Sequence, residues 1–155
     1  MNTPVEKVAE ALRALDATGE IREFAETVPT AAAAAEVLGC KVGAIANSLV
    51  FSADGQPLLV ITSGAHRVDT RVVSRLLGIR KLRRADPAFV FSATGQEVGG
   101  VAPVGHPHRI RTLVDTWLAE HDVVWAGAGD HNHMYPTTYA ELLRMTDGRA
   151  ADVEV

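Results

Sequence analysis

The imidazole side chains are the most suggestive chemical groups in this sequence. His106 and His108, and likewise His131 and His133, are separated by one residue, which puts both rings of a pair on one face of an extended chain. Four such ligands could bind zinc, but no cysteine or carboxylate clearly completes a site, so we expect surface histidines, no metal and no cofactor. Imidazole titrates near neutrality, which makes His66, His106 and His133 candidates for general acid–base catalysis.

The stretch from Ala93 to Asp115 is rich in residues that interrupt regular structure. Its glycines and prolines are Gly95, Gly99, Gly100, Gly105, Pro103 and Pro107. The stretch has too many such residues for a helix interior and is too apolar for a free linker. One interpretation is a shaped loop whose backbone N–H groups bind a ligand, and the other is a tight structural turn. Composition does not distinguish the two.

Other reactive groups have ordinary structural explanations beside them. Cys40 lies next to Lys41, which could lower the pKa of its thiol, although a lone cysteine beside a helix end is more often a small core residue. The basic run from Arg80 to Arg84 is typical of a solvated strand edge and could also contact a phosphate backbone. Trp117 and Trp125 lie in apolar runs and are expected in the core.

Composition excludes several classes of protein. The 155 residues are 47% hydrophobic and 22% charged, as in a globular protein, and one cysteine allows no internal disulfide. No apolar run approaches the roughly 20 residues of a membrane helix, and the N-terminus lacks a signal-peptide layout. A net charge of −4 argues against sequence-independent nucleic-acid binding over a large surface. We therefore expect one cytoplasmic domain over residues 1–155, with neither membrane nor DNA as partner.

Helices and strands alternate irregularly along the chain, which predicts a mixed α/β fold. The predicted helices are Pro4–Leu15, Ala31–Leu38, Asp69–Leu77, Pro87–Ser92 and Tyr139–Arg144, most with a Thr or Asp cap before them. The predicted strands are Glu20–Phe24, Ala44–Phe51, Leu58–Thr62, Ile79–Leu82, Val123–Ala126 and Ala151–Val155. Asp54-Gly55 lies between two apolar runs and predicts a hairpin.

The glycine-rich stretch resembles the central block of the YbaK/EbsC family of aminoacyl-tRNA deacylases. The matching residues are Thr94-Gly95, Val98 to Gly105 and Thr112 to Asp115, and Gly99 to Pro103 corresponds to the G-x-x-x-P loop of the family. That family includes ProX proteins and the editing insertion of bacterial prolyl-tRNA synthetases. The resemblance covers nearly the whole chain. It implies a single domain in which helices surround a mixed, partly barrel-like β-sheet.

The resemblance also implies an activity, namely hydrolysis of the ester that joins a wrong amino acid to the 3′ end of tRNA, as in Ala- or Cys-tRNA-Pro. Preorganised backbone N–H groups could stabilise the oxyanion of this reaction without a catalytic triad, which the sequence lacks. The candidate catalytic residues are Asn47, Gly99 and Gly100. The candidate substrate-binding residues are Ser63, His66, Val101, Ala102, Pro103, Gly105, His106, Gly129 and His133. The expected partner is mischarged tRNA, with an aminoacyl-tRNA synthetase as a further one.

One residue departs from the family pattern. The hallmark lysine of the family falls at Asn47, which keeps hydrogen-bonding capacity but loses the positive charge. Two hypotheses follow. In the first, the chain is a free-standing editing enzyme in which Asn47 and one or more histidines replace the contacts of the lysine. In the second, it is a non-catalytic homologue that binds a nucleotide-like ligand, an amino acid or a synthetase.

Overall fold

The computed structural model describes residues 3–154, which form five α-helices and eight β-strands. The helices are α1 (Pro4–Ala14), α2 (Ala31–Leu38), α3 (Thr70–Leu77), α4 (Pro87–Thr94) and α5 (Tyr139–Thr146). The strands are β1 (Arg22–Glu23), β2 (Ile45–Ala53), β3 (Gln56–Ser63), β4 (Leu82–Arg84), β5 (Arg111–Asp115), β6 (Val124–Gly127), β7 (His133–Thr137) and β8 (Arg149–Ala151). Short 3-10 helices precede β2 and follow β5.

Helix ends follow local side-chain chemistry. The Oγ atoms of Thr3, Thr30 and Thr138 each accept a hydrogen bond from the backbone N–H three residues later, at the start of α1, α2 and α5. Asp69 and Asp86 cap α3 and α4 in the same way. These five helices were all expected from the sequence, and their boundaries agree within two residues.

The eight strands form one mixed sheet. Its order is β1-β7-β6-β2-β3-β5-β8, and β4 pairs separately with β2. Three pairs are parallel, β2 with β6, β3 with β5 and β5 with β8, while the others are antiparallel. The sheet is open rather than closed into a barrel. The mixed α/β fold predicted from the sequence is confirmed.

The centre of the sheet is its most apolar part. Leu58, Leu59, Val60 and Ile61 of β3 are all fully buried, because both faces of this strand are covered. Side chains of β3 alternate between two clusters of apolar residues: Leu59 and Ile61 join the one that includes α1 and α5, and Leu58 and Val60 join the one that includes α3. A third cluster packs α2 against Ile45 and Met134.

The structure corrects several expectations about single elements. Ile79 lies in the turn that ends α3, where its N–H donates to the carbonyl of Ser74, so β4 begins three residues later, at Leu82. Strand β7, which contains Pro136, was not predicted from the sequence. The C-terminal strand is Arg149–Ala151 rather than Ala151–Val155, and Val155 lies outside the described residues. None of the helices in residues 3–154 is both long and apolar enough to cross a membrane.

Candidate active site

A gap between strands opens one edge of β2. Strand β6 pairs with this edge only at Ile45 and Ala46, and β4 pairs with it only at residues 51–53. Residues 47–50 therefore have β3 as a neighbour on one side and no strand on the other. Such an open stretch in the middle of a sheet leaves space and backbone groups that a ligand can use.

A cavity of about 630 Å³ lies at this gap. One wall is β2 from Ile45 to Phe51, and the opposite wall contains Val98, Gly99 and Val101 of the glycine-rich loop. The turn between β6 and β7 and the start of α2 close the sides. The volume is in the range of small-molecule sites, so the cavity is the candidate active site.

The glycine-rich loop is held against the turn that follows β6. Gly99 has a φ of +87°, which favours glycine, and the N–H of Gly129 donates to the carbonyl of Gly100 at 3.0 Å. A Cβ at Gly100 would lie 2.7 Å from the Cα of Asp130, so only glycine permits this close packing of two backbones. The N–H groups of Gly99 and Val101 have no hydrogen-bond acceptor within the described part of the chain. They are candidate donors to an oxyanion.

A buried glutamine fixes the next part of the loop. Gln96 is 1% exposed, its Oε1 accepts a hydrogen bond from the N–H of Ala102 at 2.7 Å, and its Nε2 donates to the carbonyl of Val104 at 3.3 Å. No sequence pattern indicated a role for Gln96. Together with Thr94, which hydrogen-bonds around the end of α4, Gln96 holds the loop in one shape.

His106 supports the same loop from outside the cavity. Its Nε2 lies 2.8 Å from the carbonyl oxygen of Ala102, so a ring protonated at this nitrogen donates to that carbonyl. Burial lowers the pKa of His106, although the contact with the Ala102 carbonyl partly opposes this effect. Gly105 lies next to Val8 of α1. In this geometry His106 and Gly105 shape the loop and do not line the cavity.

Each ring nitrogen of His133 lies within hydrogen-bond distance of a carboxylate. Its Nδ1 lies 2.7 Å from Asp130 Oδ1, and its Nε2 lies 3.0 Å from Glu23 Oε2. His133 lines the cavity, as does His131, whose ring would contact any Cβ placed on Gly99. Because both nitrogens of His133 have carboxylate partners, neither is free in this geometry to accept a proton from a water molecule.

Behind β2 lies a buried polar network centred on Asp115, which is fully buried. Its Oδ2 accepts hydrogen bonds from the Ser63 N–H at 2.9 Å and from the Thr62 hydroxyl at 3.3 Å, and lies 2.8 Å from Nδ1 of His66. The His66 ring lies 3.7 Å from that of Trp117, centroid to centroid. Trp117 is 49% exposed, so the expectation that it belongs to the core was wrong.

Asn47 lies at the cavity, next to one member of this network. It is the cross-strand neighbour of Thr62 in the β2–β3 pair, it is half-buried, and it lines the cavity. Ser63 and His66, by contrast, do not line the cavity, since their polar atoms are directed to Gly43 and Asp115. The structure thus places Asn47 at the cavity and Ser63 and His66 behind it.

Of the residues proposed from the sequence, the cavity brings together Asn47, Gly99, Val101 and His133. The remaining ones lie outside its lining: Ser63, His66, Gly100, Ala102, Pro103, Gly105, His106 and Gly129. Gly100, Ala102 and Pro103 belong to the loop that forms one wall.

The cavity also contains residues that sequence patterns did not select as site residues. These are mainly Ser48, Arg67, Arg84, Asp130 and His131. Arg84 belongs to the basic run noted in the sequence, whereas nothing in the sequence placed Arg67 beside it. The hydroxyl of Ser48 is buried and has no hydrogen-bond partner within residues 3–154. The carbonyl of Val50 points to the open edge of β2, because it accepts from the N–H of Ala85. Ser48 lies two residues earlier, so its backbone N–H and carbonyl groups point to the same edge.

Two other chemistries receive no support from the geometry. Residues 3–154 contain no group of three or more His, Cys, Asp or Glu side chains arranged to hold a metal ion. Cys40 lies outside the cavity lining, and burial raises the pKa of its thiol, which favours a structural residue over a reactive thiol.

Comparison with known proteins identifies the family to which this fold and cavity belong. Residues 25–145 match the family model of the aminoacyl-tRNA editing domain. The chain belongs to the aminoacyl-tRNA editing domain family. The resemblance inferred from the glycine-rich stretch is thereby confirmed.

Individual members of the editing domain family are similar over different lengths. Uncharacterized protein YwhH of Bacillus subtilis is 32% identical over 124 residues, which cover 79% of this chain and 78% of YwhH. The proline–tRNA ligase of Levilactobacillus brevis is 30% identical over 101 residues, 65% of this chain and 18% of the ligase. The chain thus spans about a fifth of the length of the ligases that it matches.

Solved structures share the complete fold. A crystal structure described as a candidate trans-editing enzyme for prolyl-tRNA synthetase superposes with a TM-score of 0.93 and 33% sequence identity. The match covers 100% of this chain and 99% of that chain. The superposition includes α1, which the family model does not reach.

Proposed function

We propose that this chain is a free-standing deacylase that hydrolyses the ester of mischarged tRNA, with Ala- or Cys-tRNA-Pro as the substrate type. The observation that carries the proposal is the cavity between the open edge of β2 and the loop at Gly99, in a chain of the editing domain family. The similarity to a candidate trans-editing enzyme for prolyl-tRNA synthetase supports the choice of tRNA-Pro.

The proposed chemistry uses backbone groups. Water adds to the ester carbonyl carbon, and the oxyanion that forms accepts hydrogen bonds from the free N–H groups of Gly99 and Val101. The bond from this carbon to the ribose oxygen then breaks. The proton lost by the water reaches the leaving ribose oxygen through the neighbouring ribose hydroxyl of the tRNA, so the step needs no side-chain base.

Asn47 and Ser48 are proposed to orient the substrate. Asn47 lines the cavity and offers both an amide donor and an acceptor, and the Ser48 hydroxyl is buried without a partner. A buried polar group is stabilised when a ligand supplies its missing hydrogen bond. Selection of small amino acids such as alanine and cysteine would come from the part of the cavity that receives the amino-acid side chain.

The experiment measures release of the amino acid from Ala-tRNA-Pro, Cys-tRNA-Pro and Pro-tRNA-Pro by the purified protein. Alanine or cysteine release well above spontaneous hydrolysis, with Pro-tRNA-Pro spared, is the expected result. If none of the three substrates is hydrolysed above the spontaneous rate, the proposal of an enzyme is contradicted. The alternative is then the non-catalytic homologue, which the neutral Asn47 favours.

The variants Asn47→Lys and Asn47→Ala test the role of this residue. If the cavity is built around asparagine, both variants lower kcat/KM, and loss of one neutral hydrogen bond predicts a decrease of about 2- to 12-fold for Asn47→Ala. A higher kcat/KM for Asn47→Lys than for the wild type would show instead that asparagine weakens an ancestral lysine site.

A further inference from the structure

A second concave surface lies beside the cavity, between α3 and β4. Five cationic side chains line this groove, together with the hydroxyl groups of Thr70 and Ser74. The five are Arg71, Arg75, Arg80, Lys81 and Arg83, and all are exposed. The sequence showed only the members on β4 and just before it. Folding adds two arginines from α3, which lie one helical turn apart on the same face.

The positive charge of this groove is largely uncompensated. Arg71, Arg75 and Arg83 make no ion pair within 4 Å in the described part of the chain. Two carboxylates accept from backbone N–H groups of the groove: Asp54 from Arg80 and Lys81, and Asp69 from Arg71. Two carboxylates therefore face five cations, in a chain whose net charge is −4. Such a local excess attracts a polyanion.

Both sides of the groove lead to the cavity. On β4, Arg83 lines the groove and the next residue, Arg84, lines the cavity. On the other side, Arg71 of α3 lines the groove, and Arg67, four residues earlier, lines the cavity. Neighbouring residues of the same two segments thus line both surfaces, so one extended anionic ligand could reach from the groove to the cavity.

The composition of the groove favours nucleic acid over protein as the occupant. Protein interfaces centre on buried apolar and aromatic residues and are depleted of lysine. The groove instead contains arginine forks, a lysine and two hydroxyl groups, and its only large apolar side chain, Leu82, is half-buried. Arginine, lysine and hydroxyl side chains are the usual donors to phosphate oxygens.

We propose that the groove between α3 and β4 binds the phosphate backbone at the acceptor end of tRNA while the aminoacylated terminus enters the cavity. This inference rests on the proposed function, since it assigns a binding surface to the same substrate. Arg67 and Arg84 would contact the last phosphates before the ester, and the groove would contact phosphates farther from the terminus. Most of the affinity would then come from outside the catalytic cavity.

The test measures the affinity for uncharged tRNA-Pro over a series of salt concentrations, so it needs no hydrolysis. The wild type is compared with Arg71→Gln/Arg83→Gln, which removes one cation from each side of the groove. Each phosphate contact contributes about 0.7 to 0.9 to the slope of log K against log salt, so the slope should decrease by about 1.4 to 1.8. At 0.1 M salt, binding should weaken about tenfold or more.

The matched control is Arg111→Gln/Arg149→Gln, which removes the same charge from exposed positions on β5 and β8 outside both the groove and the cavity. This control should keep the wild-type slope. Equal losses in both double variants, an unchanged slope in the groove variant, or a wild type that does not bind tRNA would overturn the inference. If tRNA binding depends on the groove but no ester is hydrolysed, only the proposed deacylase activity is contradicted. If the ester is hydrolysed but the salt slope of the groove variant is unchanged, only the proposed role of the groove is contradicted.

Discussion

Removal of the Ser48 hydroxyl should change stability and activity in opposite directions. In the free protein this hydroxyl is buried beside the cavity without a hydrogen-bond partner in residues 3–154. A buried polar group in that state costs about 1 to 3 kcal/mol of stability. In the proposed complex the substrate supplies the missing partner. Ser48→Ala removes both the cost in the free protein and the contact in the complex.

The two magnitudes follow from these contacts. If about 1 kcal/mol of desolvation is recovered, the melting temperature of a chain of this length should rise by about 2 to 4 °C. Loss of one neutral hydrogen bond to the substrate, at about 0.5 to 1.5 kcal/mol, should lower kcat/KM by about 2- to 12-fold. An increase in stability together with a decrease in activity distinguishes a ligand-binding group from a structural one.

Thermal melts and alanine release from Ala-tRNA-Pro measure the two effects on the same preparation. Ser52→Ala is the matched control, because Ser52 has the same orientation along β2 but lies outside the cavity lining. The control should change stability by no more than about 0.5 kcal/mol and leave the kinetics unaltered. If Ser48→Ala lowers the melting temperature and keeps the wild-type kcat/KM, the assignment of Ser48 to the substrate is refuted.

Two further predictions concern the loop that forms the second wall. Gly100→Ala would push its Cβ against the backbone of Asp130, so urea melts should show a loss of about 1 to 3 kcal/mol in the free energy of unfolding, and kcat/KM should fall. The control Gly78→Ala, at a position with open space around it, should leave kcat/KM unchanged. Equal kcat/KM values for the two variants would contradict the role of the loop. Burial lowers the pKa of His106 in the folded protein, so on acidification the unfolded chain binds a proton at this residue at a higher pH than the folded chain does. The stability that is present above pH 6.5 is therefore lost as the pH falls toward the lower pKa of the folded state. His106→Gln should therefore flatten the dependence of the melting temperature on pH between about 7 and 5. The corresponding change in the free energy of unfolding is at most about 1.4 kcal/mol per pH unit, and parallel profiles for the variant and the wild type would refute this.

Elements set by neighbouring residues could be predicted from the sequence. Thr30 and Gly39 bound α2 because a hydroxyl at the first position and a left-handed glycine at the last satisfy backbone groups locally. Asp54 and Gly55 both have positive φ, as the two-residue turn of the β2–β3 hairpin requires.

Features that depend on distant pairing could not be predicted in this way. Strand β7 contains Pro136, which argues against a strand in the interior of a sheet. The gap beside Ser48 exists because β6 and β4, which are about 40 residues apart in the sequence, pair with different ends of one edge of β2. No local pattern in β2 shows which of its residues lose a neighbour there.

The same distinction between local features and distant contacts applies to the candidate site. The glycine-rich loop could be recognised as one wall because the family block carries it as a continuous segment. The partners of individual side chains could not be predicted, because they come from elsewhere in the chain. His66, for example, contacts Asp115 on β5, and His133 contacts Glu23 on β1. Histidines that appeared available for catalysis are thereby occupied in the folded protein.

The central claim is that the aminoacyl ester binds between the open edge of β2 and the loop at Gly99. The most direct measurement is amide chemical-shift mapping by NMR on this 16.5 kDa protein, with a non-hydrolysable alanyl-amide analogue of the 3′-terminal adenosine. Our account predicts that the largest shifts occur at Ser48, Gly99 and Val101. Shifts centred on the surface around Arg111 and Arg149, with the amides of the cavity unchanged, would contradict it.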